Sequence, residues 1–420
     1  MEYDLAIIGK GFAGLSALHL ALKAKLKTAI IYHDNGASQH FSGAFDLIDP
    51  RLNNYKIKSD NLPRLHEALK TFIKANPQHL YANINNQQPQ LIEEVAKHYK
   101  DFFEFYKISI ELNDKLFSVM GPSGNIKPTA ASLPSFAIKN EDLKTFKNAV
   151  YIHIPFLKDY QPKNILKNLN LNFDTSIILN WDYQGLNPQA GLINLLHLMD
   201  QKQTFEAFKI FLKENIKPNQ VVFIPPILGL KNYHSNLQEI SQQLNIKIIE
   251  LLSCLPSPAG LRIQNPIESR LNNLQNEHQL DLIQDQVVGF NAQNNCIESI
   301  NLKNQKQPIQ AKQYVLATGK YIGGGIKKSP HPHEAIFNLP LYGNKRQKIV
   351  TSNYFNHIDQ NALSQQKFLN LGIDPKPDEF NNLKSCGQIQ YGFDAFRERC
   401  AFGVTLLSSH YCLDFSKNPA

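Results

Sequence analysis

The chain has 420 residues, 42% hydrophobic content and a formal net charge of +8 at pH 7. This length exceeds what one hydrophobic core usually covers, so we expect two closely associated domains. The basic residues are scattered rather than gathered in a tract, which argues against nucleic acid as a partner. The positive charge could form a basic face that binds an anionic substrate or lipid, or it could simply be spread over an ordinary solvated surface.

No apolar run approaches the length of a membrane span, and the acidic start at Glu2 and Asp4 leads directly into a strand pattern. We therefore expect a cytoplasmic protein without a signal peptide and with at most peripheral membrane attachment. The five cysteines are widely spaced, odd in number and without a C-x-x-C pair, which predicts reduced structural thiols rather than disulfides, an iron–sulfur cluster or a metal site. They are Cys254, Cys296, Cys386, Cys400 and Cys412.

A dinucleotide-binding fingerprint opens the chain. Residues 4–8 form an apolar strand pattern, and a Gly-x-Gly-x-x-Gly turn leads from it into a helical pattern. In this motif the first glycine makes the tight turn, the second lets the backbone approach a pyrophosphate, and the third allows close helix packing. The helix N-terminus supplies free N–H groups for the phosphates. The predicted cofactor-binding residues of this turn are Gly9, Gly11, Phe12, Ala13 and Gly14.

The segment after the second predicted strand, 28–32, carries further candidates. Asp34 lies about twenty residues beyond the glycine turn, where a ribose-binding acid is expected, although Tyr32 and His33 occupy the usual place of that acid. In flavoproteins with this opening, the next loop commonly passes beside the flavin. We therefore predict flavin or substrate contacts, with ordinary turn residues as the alternative, for His40, Ser42 and Gly43.

The middle of the chain predicts an insertion. Helical patterns near 62–74 and 89–106 are followed by short strand patterns such as 107–111 and 149–154, separated by turn residues. The predicted organisation is an N-terminal part of the dinucleotide-binding domain at 1–106, an inserted cap or substrate-side region at 107–230, and a return to the first domain at 231–420. The fold class is α/β, a Rossmann-like FAD/NAD(P)-binding domain with an inserted α+β domain.

The returning part contains one candidate anion-binding residue and two small-residue segments. Arg262 follows a Pro-rich turn into a helix pattern, where its guanidinium could hold a phosphate or carboxylate, or could instead serve as a structural salt-bridge partner. A hairpin pattern at 287–302 precedes a strand ending in Ala-Thr-Gly. Further cofactor contacts are predicted at Ala317, Thr318, Gly319, Gly387, Gln388 and Gly403, with Phe402 placed where it could crowd a flavin.

Several of these motifs together resemble one family. They are His-Phe-Ser-Gly at 40–43 with Asp-Leu at 46–47, Gly-Leu-Arg-Ile-Gln-Asn at 260–265, Leu-Ala-Thr-Gly at 316–319, and Tyr-Gly-Phe-Asp at 391–394 before Cys400. In this order they resemble the B subunit of anaerobic glycerol-3-phosphate dehydrogenase. The resemblance extends over nearly the whole chain, with a diverged middle region.

The resemblance implies a flavoprotein subunit that works with a larger flavin-binding A subunit and an iron–sulfur C subunit at the inner membrane face. Such a complex oxidises sn-glycerol 3-phosphate to glycerone phosphate and passes electrons to quinone during fumarate or nitrate respiration. The family is described as using FMN in this subunit, whereas the fingerprint suits the pyrophosphate of FAD, which we place slightly ahead on sequence grounds.

For the reaction itself we predict Arg262 as a phosphate clamp and His40 as the base, because an imidazole titrates near neutral pH. Two other functions are consistent with the sequence. The chain could be a non-catalytic relay or structural subunit of the complex, or a stand-alone flavin or nicotinamide oxidoreductase with another substrate. The lack of a second Gly-x-Gly-x-x-Gly unit and of a C-x-x-C pair argues against a disulfide reductase architecture.

Overall fold

The computed structural model describes residues 2–50, 62–139, 142, 145–182, 185, 191–218, 220–328, 332–343 and 370–413. The helices of these segments are α1 Phe12–Lys23, α2 Leu65–Ala75, α3 Leu80–Gln87, α4 Pro89–Glu93, α5 Val95–Phe105, α6 Pro162–Leu169, α7 Gly191–Met199, α8 Lys202–Asn215, α9 Tyr233–Leu244, α10 Pro258–Asn276 and α11 Ala401–Cys412. Short 3-10 helices cover Gly36–His40, Pro134–Phe136 and Gly387–Ile389.

The strands are β1 Glu2–Ile8, β2 Thr28–Tyr32, β3 Ala44–Phe45, β4 Glu111–Met120, β5 Ile126–Ser132, β6 Asn148–His153, β7 Thr175–Asn180, β8 Val221–Ile224, β9 Lys247–Glu250, β10 Leu280–Gln284, β11 Val287–Gln293, β12 Cys296–Leu302, β13 Gln310–Leu316, β14 Ile326–Lys327, β15 His333–Glu334 and β16 Leu383–Ser385.

The main sheet is parallel and has the order β10-β2-β1-β13-β16. Its central strand β1 is a nearly continuous apolar run, as expected for a strand covered on both faces. Helix α1 follows it and buries Leu15 and Leu18 in the largest core cluster. The parallel order and the strand–glycine turn–helix unit confirm the predicted α/β, Rossmann-like class.

The region inserted between β3 and β10 contains two sheets. An antiparallel sheet has the order β3-β5-β4, and a parallel sheet has the order β7-β6-β8-β9 with its own hydrophobic core. The last strand of the parallel sheet, Lys247–Glu250, lies beyond residue 230, where we placed the end of the insertion. The inserted sheet therefore extends further along the chain than the pattern of short strands and turn residues indicates.

Most predicted elements are present. The helical patterns at 62–74 and 89–106 correspond to α2 and to α4 with α5, which are separated at Glu94, and the hairpin pattern forms β11 and β12. The prediction of a strand at 107–111 was wrong, because β4 begins only at Glu111 after Lys107 has adopted a left-handed conformation with φ 54°. Among the described residues, no helix combines the length and the apolar character needed to cross a bilayer.

Candidate functional site

The N-terminus of α1 is built as an anion-binding turn. Gly9 has φ 115°, and a Cβ there would lie 2.5 Å from the carbonyl oxygen of Ala317. A Cβ on Gly14 would lie 1.8 Å from the carbonyl oxygen of Gly9, so only glycine permits this turn against the helix. Around Gly11 the space is open, since its Cβ would meet only Ser38 Oγ at 3.5 Å. The helix has no side-chain cap and no acidic residue in its first turn, which leaves its N–H groups and partial positive charge for an anion.

Other predicted residues converge on the same edge of the main sheet. Ile8 is paired with Ile31 on one side and with Leu316 on the other, and Leu316 is paired with Ser385. The carboxyl ends of these parallel strands therefore lie next to one another, and parallel sheets bind ligands at this edge. The segments that follow the four strands contain Gly9, Asp34, Ala317, Thr318, Gly319, Gly387 and Gln388.

Thr318 carries an unsatisfied polar side chain in the Ala-Thr-Gly turn. Its Oγ1 is buried, and it has no hydrogen-bond partner within the part of the chain that the structure describes. The preceding strand is fixed, because the amide of Ala317 donates to the carbonyl oxygen of Ile8 at 2.9 Å. An unpaired buried hydroxyl costs about 1–3 kcal/mol, so this group is the one in the turn that gains most from a bound partner.

The adenosine end of a dinucleotide site is covered by Lys10, the second residue of the glycine turn. Its Nζ lies 2.7 Å from Glu268 Oε1 of α10 and 4.0 Å from the centre of the Tyr32 ring. The side chain of Lys10 is only 5% exposed. Tyr32 ends β2 and is in register with Gln284 of β10, so this ammonium–aromatic pair lies across the edge where an adenosine ribose would be expected. Lys10 was not among the predicted site residues, although it lies inside the glycine motif.

Asp34 and the loop that follows it lie mainly on the surface. Asp34 is exposed, and its Oδ1 accepts a hydrogen bond from the amide of Gly36 at 2.7 Å, so its carboxylate stabilises a local turn. His40 is exposed at the end of the 3-10 helix. The carbonyl oxygen of Ser42 accepts a hydrogen bond from the amide of Ser253 at 2.8 Å, and Gly43 is buried against Phe136. The loop therefore joins the main domain to the end of the inserted sheet, and ligand contacts by His40, Ser42 and Gly43 stay predictions.

The C-terminal candidates occupy two different environments. Gly387 and Gln388 lie in the 3-10 helix after β16, where the amide of Gly387 donates to Ser408 Oγ at 2.8 Å. Gly403 is buried, and its amide donates to the carbonyl oxygen of Asp46 at 3.0 Å. The ring of Phe402 packs edge-on against Phe12 at 5.3 Å within a buried aromatic cluster. The structure thus places Phe402 in the core, next to the helix that opens the glycine turn.

Arg262 is held in a fully buried ion pair. Its Nη1 and Nη2 donate to the two carboxylate oxygens of Glu250 at 2.5 and 2.9 Å, and its Nε donates to the carbonyl oxygen of Gly229 at 2.8 Å. Both side chains of the pair are 0% exposed, and the guanidinium lies 4.6 Å from the centre of the Tyr233 ring. This geometry favours the structural alternative for Arg262 over the phosphate clamp, because three of its five N–H donors are used and its side chain is fully buried.

A buried polar cluster that we did not predict precedes the last helix. His79 Nδ1 accepts a hydrogen bond from the amide of Tyr81 at 3.0 Å, while its Nε2 lies 3.4 Å from Glu398 Oε2 and 3.8 Å from Cys400 Sγ. Since Nδ1 is an acceptor, the neutral ring carries its proton on Nε2 and donates it toward Glu398. These three groups have metal-ligand chemistry, but a proton on Nε2 does not suit metal coordination. Burial raises the pKa of the Cys400 thiol, so the group is a neutral thiol.

Lys320 completes this cluster and follows the Ala-Thr-Gly turn directly. Its Nζ lies 4.7 Å from the centre of the Phe393 ring. Burial lowers the pKa of Lys320 to about 7, against the opposing effect of Cys400, Asp394 and Glu398. The only sign of Lys320 in the sequence is that it directly follows the Ala-Thr-Gly turn.

Taken together, the residues at the sheet edge fit the phosphate end of a flavin nucleotide. The uncapped helix, the open space at Gly11 and the orphaned Thr318 hydroxyl all suit a phosphate with its attached polar chain. The adenosine end fits less well, because Lys10 and Tyr32 cover it and Asp34 bonds its own turn.

The chain is similar over its full length to curated proteins named as the B subunit of anaerobic glycerol-3-phosphate dehydrogenase, which confirms the family resemblance. The protein from Vibrio cholerae is 24% identical over 436 residues, covering 99% of this chain and 96% of the relative. That from Aliivibrio fischeri is 26% identical, with 99% and 95% coverage, and that from Pasteurella multocida is 23% identical, with 97% coverage of both. No family model matches the chain.

Solved structures give more distant similarities. The Mycobacterium smegmatis Sdh1 complex in the apo form aligns with a TM-score of 0.43 and 10% identity, covering 99% of this chain and 69% of that one. Glycine oxidase from Bacillus cereus aligns with a TM-score of 0.34 and 12% identity, covering 99% and 98%.

Proposed function

We propose that this chain is the flavin-binding B subunit of an anaerobic glycerol-3-phosphate dehydrogenase. The observation that carries the proposal is the similarity of the whole chain to curated B subunits. The open space at Gly11 in the glycine turn agrees with it. On this proposal the chain works with an A subunit and an iron–sulfur C subunit at the inner membrane face. Together they oxidise sn-glycerol 3-phosphate to glycerone phosphate and pass the electrons to quinone.

The residues that would hold the flavin are those at the carboxyl edge of the main sheet. The α1 N-terminus and the open space at Gly11 would hold the phosphate, and the Thr318 hydroxyl would gain a hydrogen-bond partner from the bound group. The chemistry supplied by a bound flavin is hydride acceptance from the carbon that carries the hydroxyl group. The protein orients that carbon, excludes water from it and takes up the hydroxyl proton.

The flavin of this proposal is the mononucleotide. The sequence alone placed FAD slightly ahead, but Lys10 lies over Tyr32 and bonds Glu268 where the adenosine ribose would be needed. A phosphate monoester also gains from the partial positive charge of the helix N-terminus. FMN therefore satisfies the turn without displacing the partly buried ion pair of Lys10 and Glu268.

The experiment is an absorbance spectrum of the purified chain, release and mass identification of the cofactor, and anaerobic addition of sn-glycerol 3-phosphate. We expect FMN that bleaches on addition of the substrate. FMN that stays oxidised, with bleaching only after the A subunit is added, would assign the chain the second function, an electron relay. The absence of any flavin would contradict the cofactor assignment and favour a structural subunit. The position of Lys10 over Tyr32, which covers the adenosine edge, is consistent with that outcome as well.

A further inference from the structure

A largely buried ion pair joins the inserted antiparallel sheet to the segment that follows β3. Lys127 lies on β5, and its ammonium group donates a hydrogen bond to Oδ2 of Asp46, the residue directly after β3. The side chains of Lys127 and Asp46 are 11% and 16% exposed, so the pair is enclosed but still reaches solvent. Burying two charges is costly unless their remaining polar atoms find partners, so those atoms indicate what the pair does.

The hydrogen-bonding capacity of this pair is only partly used. The Oδ1 atom of Asp46 is buried and has no hydrogen-bond partner among the described residues. An ammonium group has three donors, and within the same part of the chain Lys127 uses one of them, toward Asp46. One carboxylate oxygen and two N–H groups are therefore left. They match the hydroxyl groups of a ligand, because a hydroxyl group both donates and accepts hydrogen bonds.

The buried pair of Arg262 and Glu250 shows how a structural ion pair is built in this protein. Both of its side chains are 0% exposed. Glu250 accepts two hydrogen bonds from Arg262, one from a serine hydroxyl and one from a backbone amide, so both of its oxygens are satisfied. The pair of Asp46 and Lys127 lacks both properties, because it reaches solvent and leaves donors and an acceptor unused. Ligand binding accounts for this difference.

The pair also lies beside the elements that we assign to the flavin. Asp46 follows Phe45, whose ring centre lies 5.9 Å from that of Phe12, the residue after Gly11. The carbonyl oxygen of Asp46 accepts a hydrogen bond from the amide of Gly403, in the first turn of α11, at 3.0 Å. The pair is therefore fixed where the insertion meets the first domain, close to the helix that begins at the glycine turn. Ligand sites occur preferentially at such interfaces between domains.

We propose that Asp46 and Lys127 bind the oxygen atoms of a small polyol phosphate, with Oδ1 accepting from one hydroxyl group and the ammonium group donating to the oxygen on the neighbouring carbon. The inference rests on the proposed function and deepens it, since it names the residues that select the substrate. sn-Glycerol 3-phosphate and its ketone product both carry oxygen on these two carbons. The phosphate group lies away from the pair, because the Asp46 carboxylate repels it.

The first test compares two phosphate esters in the purified full-length protein with its flavin oxidised. Glycerone phosphate carries a ketone oxygen and a hydroxyl group, whereas n-propyl phosphate has the same carbon chain without them. Isothermal titration calorimetry gives both dissociation constants. We expect glycerone phosphate to bind at least tenfold more tightly, because hydrogen bonds to charged groups contribute that much affinity. A ratio below threefold would overturn the inference.

The second test repeats both titrations in Lys127→Met. The matched control is Lys209→Met, because the Lys209 side chain is 12% exposed and also pairs with carboxylates, those of Glu206 and Glu239 in the insertion. We expect Lys127→Met to lose at least tenfold in affinity for glycerone phosphate, while n-propyl phosphate binds within threefold of wild type. Lys209→Met should bind both esters as the wild type does. A purely structural role for the pair would weaken both esters alike or neither of them, and either result would overturn the inference.

Two further measurements cover a failure of Lys127→Met to fold. The double variant Asp46→Asn with Lys127→Met leaves no unpaired charge in the pair, and we expect the same loss of selectivity between the esters. In the wild type, trace acetylation of Lys127 with acetic anhydride, followed by peptide mass spectrometry, should fall at least threefold with saturating glycerone phosphate. The same acetylation rate with glycerone phosphate as with n-propyl phosphate would overturn the inference without any variant.

The outcomes separate this inference from the function beneath it. Binding of both esters with similar affinity would overturn the role of Asp46 and Lys127 and leave the dehydrogenase proposal standing. A wild-type protein that keeps its flavin but binds neither ester would overturn the proposed function and, with it, this role.

Discussion

Replacing Arg262 by methionine should destabilise the protein without abolishing substrate recognition. The change removes two hydrogen bonds to Glu250 and one to the carbonyl oxygen of Gly229. Glu250 then keeps only Ser135 Oγ at 2.6 Å and the amide of Leu228 at 2.8 Å among its described partners. Breaking a buried pair by deleting one partner costs about 3–5 kcal/mol, and complete burial of both side chains places this pair in that range.

Urea unfolding followed by circular dichroism measures the loss in the free energy of unfolding. The matched control is the double variant Glu250→Gln with Arg262→Met, which removes both charges of the pair, and we expect it to recover about half of the loss. A loss below about 1 kcal/mol in Arg262→Met would refute the structural role. Weakened binding of sn-glycerol 3-phosphate at unchanged stability would restore the clamp hypothesis.

Three other predictions address the turn and the histidines. Gly11→Ala should fold normally yet lose at least tenfold in flavin affinity, which flavin fluorescence measures. Gly14→Ala should lose about 1–3 kcal/mol in the free energy of unfolding, because its Cβ would lie 1.8 Å from the carbonyl oxygen of Gly9; urea unfolding measures this loss. Lys10→Gly should raise the affinity of the apoprotein for FAD at least tenfold and change that for FMN little, as fluorescence quenching would report. Burial lowers the pKa of His19 to about 4 and that of His410 to about 2. Because the unfolded chain binds these protons more readily, the free energy of unfolding should fall by about 2 kcal/mol for each histidine between pH 6.5 and pH 5. Replacing either histidine by glutamine should make the midpoint of urea unfolding depend less on pH.

The glycine turn was predictable because its geometry is local. The strand–turn–helix order is written in a continuous stretch, and Gly14 packs against Gly9 and Ile7 within it; only the contact of Gly9 with Ala317 depends on a distant part of the chain. The Ala-Thr-Gly turn was predictable for a related reason, since a parallel sheet must place the end of β13 beside that of β1. The sequence pattern therefore located the edge of the sheet correctly.

The roles of individual polar side chains were not predictable, because their partners are distant in sequence. Cys400 and His79 are 321 residues apart, and Lys320 owes its environment to the segment before α11. Arg262 has its carboxylate partner, Glu250, only 12 residues away. The sequence does not show, however, whether these two side chains bind each other or a ligand. What decides between these outcomes is burial, and burial follows from how the inserted sheet packs.

Helix α10 explains why the insertion and the cofactor turn form one unit. At its start, a Cβ on Gly260 would lie 2.1 Å from the carbonyl oxygen of Gln39, so the helix begins in contact with the 3-10 helix. Two residues later Arg262 bonds β9 of the inserted sheet, and Glu268, about two turns after Gly260, bonds Lys10 of the glycine turn. Arg262 and Glu268 lie on one helix, on either side of Pro266, so α10 connects the inserted sheet to the residue that covers the adenosine edge. The Pro-rich turn fixes where this helix begins, because α10 starts at Pro258 and the side chain of its N-cap Ser257 accepts a hydrogen bond from the amide of Gly260.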